Sequence, residues 1–139
     1  MFLYLAGSLT YFHKTNKFDK ALKWREKITN WCEDNGIKYY NPATVYLNEE
    51  NHKYYFRTCV DQNRYFLNKA DILIVNLEAI DHSPGTIWEI TYAGEVRKIP
   101  VIAIGKKHWS AHIMYHISHL CKNEEEVINL LSNMFLLSK

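Results

Sequence analysis

Apolar and polar positions change their period several times along the chain, and each change marks an element. Phe2 to Ala6 is a short continuous apolar run ending at Gly7 and Ser8, the pattern of a buried strand that delivers its chain into a loop. From Lys17 the spacing becomes helical: Phe18, Ala21, Leu22, Ile28, Trp31 and Cys32 approximate one face, and Asp34, Asn35 and Gly36 supply the stop. Ile37 to Tyr40 predicts a second strand. Asn41 and Pro42 close it, because proline lacks a donor and biases its predecessor toward extended backbone. A loop carrying Tyr46 follows, then a helix from about Asn51 to Lys69 whose stripe is blurred by Tyr54, Tyr55, Phe56, Tyr65 and Phe66.

The run DILIVNL, Asp71 to Leu77, predicts the central strand, since nearly continuous aliphatic residues suit a parallel sheet covered on both faces. After HSPG a helix is expected from about Thr86 to Lys98, and after Pro100 a strand from Val101 to Ile104. Asn123, followed three residues later by Glu126, opens a terminal helix with Val127, Leu130, Leu131 and Met134 as its stripe. Alternating strands and helices imply a small α/β unit, doubly wound in the Rossmann-like or flavodoxin-like manner, with a parallel sheet flanked by helices. Ligands of such sheets bind beyond the carboxyl ends of the strands. Gly7 to Thr10, Asn76 to Gly85 and the start of the helix bearing Glu89 converge there.

The 139 residues fit one domain, 1–139, without repeat or linker, and 47% hydrophobic against 23% charged residues leaves little room for disorder. Seventeen Lys plus Arg against fifteen Asp plus Glu gives a formal charge of +2, too slight for a polymeric nucleic acid partner. Cys32, Cys59 and Cys121 lie far apart and form no metal-like pair; they read as reduced thiols of a cytoplasmic protein. The opening run has no cationic leader, and no stretch approaches the roughly 18 apolar residues of a membrane span. Neither export nor a membrane is expected.

The first turn holds one glycine rather than three spaced ones, and no GxxxxGK loop exists, which argues against dinucleotide and triphosphate folds of the usual kinds. His108, His112 and His116 repeat every four residues with His119 nearby, so one helical face would present several imidazoles. Without the carboxylate of HExxH or a cysteine pair, they read as surface or interface histidines, with no metal site. The informative run is SPGTIWEITYAGEVRKIPVIAIG, residues 83 to 105. Pro84 and Gly85 turn the chain, Thr86 begins a helix, and Glu89 faces the crevice. An ionised glutamate there can attack an anomeric carbon whose transition state has oxocarbenium character. Thr86 and Glu89 also have the spacing of a capping box, in which the glutamate only satisfies the helix amino terminus.

This run resembles the nucleoside 2-deoxyribosyltransferase family and its nucleotide N-glycosidase relatives, together with the YLAGSL opening, the WRE of the first long helix, the NP after the second strand, and Asp61 and Asp71. The resemblance covers roughly residues 2 to 105, and GTIWEITYA is its most specific part. It implies that Glu89 is the nucleophile and that Asp61 lies near the deoxyribose and the catalytic carboxylate, whereas Asp71 is structural. Ser8 stands where many transferases have proline, and Ser83 where many have a base-contacting aspartate; serines at such positions resemble the hydrolase branch, where hydroxyls help hold a 5′-phosphate. Asp81, two residues from Ser83, is a candidate replacement for that carboxylate. The substrate-binding candidates are Tyr4, Gly7, Ser8, Asp81, Ser83, Gly85 and Thr86, with Trp24 or Tyr11 stacking a base.

The implied activity is base exchange on a 2′-deoxynucleoside through a deoxyribosyl-glutamate intermediate, with no metal or redox cofactor. The implied partners are a nucleoside or nucleotide, a free nucleobase, and further copies of the chain. A neighbouring subunit would complete the site from its later segment, among His112, Tyr115, Asn133 and Met134. Two alternatives stay open: an N-glycosidase that releases base from 2′-deoxynucleoside 5′-monophosphates, and a non-catalytic nucleotide-binding module in which Glu89 caps its helix.

Overall fold

Aliphatic strands of this kind need cover on both faces, and the helices supply it. The computed structural model describes residues 1–45 and 55–135. Its strands are β1 (Phe2–Ala6), β2 (Lys38–Tyr40), β3 (Ile72–Asn76), β4 (Val101–Ile104) and β5 (His119–Cys121). All pairings are parallel and the spatial order is β2-β1-β3-β4-β5. The helices are α1 (Thr10–Lys14), α2 (Phe18–Asp34), α3 (Tyr55–Leu67), α4 (Pro84–Thr91), α5 (Ala111–Met114) and α6 (Glu124–Leu130). Both α4 and α6 continue into a π-helical turn, Tyr92–Arg97 and Leu131–Phe135.

Successive strand side chains point to opposite faces, which divides the core in two. Tyr4, Ala6, Leu73, Val75, Val101 and Ala103 pack with Leu67, Ile90 and Ala93, so α3 and α4 cover one face. Leu3, Leu5, Ile72, Ile74, Ile102 and Ile104 pack with Trp24, Ile28, Cys32, Val127 and Leu131, so α2 and α6 cover the other. The register Leu3↔Ile72 and Ile74↔Ile102 carries this alternation across the sheet. Tyr4 therefore points toward α4, and this single parity decides the chemistry described below.

β1 and β4 span the expected residues. α4 begins two residues before Thr86, at Pro84, because proline is tolerated in a first helical turn whose N–H groups have no partner. Asn123 caps α6 as its spacing implied, its side chain accepting from the Glu126 amide at 3.0 Å. Three short elements, α1, α5 and β5, have no apolar run to announce them. α5 spans only Ala111–Met114, so His108, His112 and His116 do not share one helical face. His108 instead bonds Asp81 through Nε2 at 2.7 Å, and His116 bonds Glu95 through Nε2 at 2.7 Å. Tyr46, Asn51 and Tyr54 lie outside the described residues, as does the side chain of Met134. No described helix is long and apolar enough to cross a membrane.

Candidate active site

At the carboxyl end of β1 the chain turns through Gly7 and Ser8, and the space there demands glycine. A Cβ on Gly7 would stand 2.9 Å from Trp24 Cζ2 and 3.2 Å from Arg25 Nη2. Trp24 thus supports the loop from the opposite core layer and does not border the cavity, a correction to its expected role as a base-stacking ring. Arg25, only 1% exposed, ties the loop down. Its Nη1 donates to the Leu5 carbonyl at 2.8 Å and to Asn41 Oδ1 at 3.2 Å, and its Nη2 donates to the Gly7 carbonyl at 3.0 Å. A buried guanidinium satisfied by carbonyls keeps an unneutralised charge close to the crevice, while burial pulls its pKa down to about 10.

Glu89 lies on α4 with 7% of its surface exposed. Its Oε2 accepts from the Tyr4 hydroxyl, across 85 residues of sequence. Burial drives the carboxyl pKa up to about 7; the Tyr4 hydrogen bond and the Arg25 charge oppose that rise. The Tyr4 phenol is pushed well above its usual range, by burial first and then by the Glu89 charge, so it remains a donor. The capping-box arrangement is not adopted. Glu89 is spent on Tyr4, the helix has already begun at Pro84, and Thr86 Oγ1 shares a 2.6 Å hydrogen bond with Ser83 Oγ.

Glu89 borders a cavity of about 400 Å³, within the range that holds small ligands. The first loop contributes Gly7 and Ser8, and α1 contributes Tyr11; the α4 start contributes Ser83, Gly85 and Thr86. The structure thus brings together Gly7, Ser8, Ser83, Gly85, Thr86 and Glu89. Ser8 Oγ is buried and has no hydrogen-bond partner among the described residues, an arrangement that costs free energy unless a ligand or water satisfies it. Tyr4 meets the site only through its hydroxyl, being itself fully buried.

Two acidic candidates are not brought to the cavity. Along α3 the residues facing it are Cys59, Gln62 and Asn63, at helical spacing. Asp61 projects away from that face, with its side chain 54% exposed, between Arg64 Nη2 at 3.1 Å and Arg57 Nε at 3.5 Å. Asp81 turns outward to His108 and borders a different cavity. His112, Tyr115 and Asn133 are exposed and do not line the site of their own chain. Tyr40, Gln62, Asn63 and His82 were missed as lining residues. The i, i+3, i+4 spacing of Cys59, Gln62 and Asn63 was the available signal on α3. Among the described residues, no three metal-ligating side chains converge.

A parallel open sheet with a buried carboxylate at the carboxyl ends of its strands defines a small-ligand α/β protein of the enzyme type. The chain belongs to the nucleoside 2-deoxyribosyltransferase-like family, whose model matches residues 2–108. Members of this family are N-deoxyribosyltransferases or N-glycosidases. Among solved structures, the fold is similar to that of the 2-deoxyribosyltransferase from the psychrotolerant bacterium Bacillus psychrosaccharolyticus, with a TM-score of 0.72 at 19% identity, covering 93% of this chain and 91% of that one. It is also similar to the Clostridium botulinum CMP N-glycosidase BcmB, with a TM-score of 0.62 at 16% identity, covering 95% and 99%. No curated protein matches the sequence significantly.

Proposed function

We propose that the chain is a nucleoside 2-deoxyribosyltransferase with Glu89 as its nucleophile. One observation carries the reading: a carboxylate buried beside the cavity, held by the Tyr4 hydroxyl, with a pKa near 7. Ionised Glu89 forms a bond to C1′ of a 2′-deoxynucleoside while the C1′–N bond breaks; the electron pair leaves with the base, which takes up a proton. A ring nitrogen of a second base then attacks C1′, releases the carboxylate and gives up its own proton, with net retention. Three cysteines that form no disulfide and the exposed rings of Trp109 and Tyr115 support placing this activity in a cytoplasmic homo-oligomer of the 1–139 domain.

A second reading has its own support. The Ser8 hydroxyl, without a hydrogen-bond partner among the described residues, and the Ser83–Thr86 hydroxyl pair border the same cavity, and hydroxyls at a helix amino terminus suit a phosphate. On this reading water captures the sugar of a 2′-deoxynucleoside 5′-monophosphate and free base is released.

The test is chromatography of products from 2′-deoxynucleosides and their 5′-monophosphates, with and without a different free base. Acceptor-dependent formation of a new deoxynucleoside is expected, falling about 10³-fold or more in Glu89→Gln. Free base and sugar phosphate from monophosphates, without exchange, would establish the hydrolase instead. Binding without turnover of any substrate, unchanged in Glu89→Gln, would leave only a nucleotide-binding module.

A further inference from the structure

A second cavity of about 830 Å³ opens at the carboxyl ends of β3 and β4, walled by Asn76 to Glu78, by Ile104 and Gly105, and by the connection between α1 and α2. Lys17, Lys20, Lys106, Lys107 and Lys122 border it from three separate segments. The whole chain carries a formal charge of only +2, so five lysines around one concavity are a local concentration. Of the five, Lys20 alone forms an ion pair among the described residues, to Glu78 at 3.7 Å. The other carboxylate on the wall, Asp81, is engaged by His108 at 2.7 Å. Like charges bordering one concavity repel one another, and an anion seated among them relieves that repulsion.

The two cavities share a wall. Tyr11 and His82 line both, and their rings stack with centroids 4.4 Å apart and planes 7° from parallel. Ser8 and Ser83 lie on the Glu89 side of this ring pair, and the lysines lie on the other. We propose that the lysine trough receives the outer phosphates of a nucleoside 5′-di- or triphosphate whose sugar sits beside Glu89. The inference rests on the reading of the first cavity as the nucleoside site. A single dianion would occupy one corner of so large a trough and leave most of the lysines unmatched, whereas a triphosphate carries enough charge and reach to pair with several. Lysine suits this task as a compact point charge for phosphate oxygens.

Calorimetric titration of the Glu89→Gln protein, which holds turnover off, tests this with 2′-deoxynucleosides, their 5′-mono- and triphosphates, and inorganic tripolyphosphate. The triphosphate is expected to bind about tenfold or more tightly than the monophosphate of the same nucleoside at low salt. Salt should erode that advantage. Adding Lys106→Gln and Lys107→Gln should abolish it while nucleoside affinity stays within about twofold, which also reports an intact fold. Tripolyphosphate should compete with the triphosphate and not with the nucleoside. Equal affinity for mono- and triphosphate, an advantage untouched by the lysine changes, or lysine-dependent binding of tripolyphosphate without any nucleotide binding would each overturn the proposal. Absence of turnover in the unsubstituted protein would sink the proposed reaction without touching this measurement, because the titration reads binding alone.

Discussion

Glu89 on α4 and Asp61 on α3 are carboxylates on two helices that cover the same face of the sheet, and their surroundings are opposite. Glu89 is 7% exposed, held by a tyrosine hydroxyl and pushed to a pKa of about 7 by burial. Asp61 stands in solvent between two arginines of its own helix. Exposed pairs of that kind contribute little, because water already solvates both partners. Reactivity follows from the environment: Glu89 is the one carboxylate bordering the first cavity among the described residues. The cavity-facing position on α3 passes to the amide of Asn63, whose Oδ1 lies 3.4 Å from the Tyr40 hydroxyl.

The contrast breaks first on stability against pH. The native pKa of Glu89 is raised from 4.5 to about 7, so between those values the folded protein holds a proton that the unfolded chain has lost. Its contribution is fully present below about pH 4.5 and is lost as pH rises through about 7. Glu89→Gln removes the titration. The variant is expected to exceed the parent by about 3 kcal/mol at pH 8 and to match it near pH 4, measured by urea unfolding. A difference independent of pH would show that the carboxylate is not desolvated.

Tyr4→Phe sharpens the same picture at smaller amplitude. The phenol stabilises the ionised carboxylate, so its loss lets burial raise the Glu89 pKa further. If Glu89 attacks as the anion, the acid limb of kcat/KM begins near pH 7 and moves upward by about one pH unit in Tyr4→Phe. Activity at pH 7 then falls about fivefold and recovers in alkaline buffer. A loss that alkaline buffer does not restore would assign Tyr4 to packing alone.

Much of this arrangement was legible in the order of residues. Aliphatic runs announced β1, β3 and β4, and the strand ends located Gly7, Ser8 and Glu89 together because a parallel sheet gathers its carboxyl ends on one side. What stayed hidden depends on parity and rotation. Whether Tyr4 faces α4 or α2 is decided by which of two alternating positions falls inward, and a run buried on both faces has no polar alternation to report it. Asp61 and Asn63 are two residues apart on one helix, about 200° around its axis, and the aromatic residues on both sides of α3 obscured which was turned inward. Arg25 sat within a recognisable motif, but its bonds go to carbonyls of Leu5 and Gly7, partners that side-chain identity does not reveal.

Rotation on α3 yields the smallest effect, and the most direct test of the comparison. Asp61→Asn removes two exposed ion pairs and reaches nothing in the cavity. Its unfolding free energy is expected to change by less than about 0.5 kcal/mol, and its kcat/KM by less than about twofold. Asn63→Ala, two residues away, removes an amide that borders the cavity and should raise KM several-fold with less change in kcat, as loss of a binding contact does. Should Asp61→Asn instead lower kcat by about tenfold or more while Asn63→Ala is silent, α3 would have to turn its opposite face toward the substrate during turnover. Asp61 would then stand beside Glu89 in the reacting complex, and the contrast between the two carboxylates would not extend to turnover.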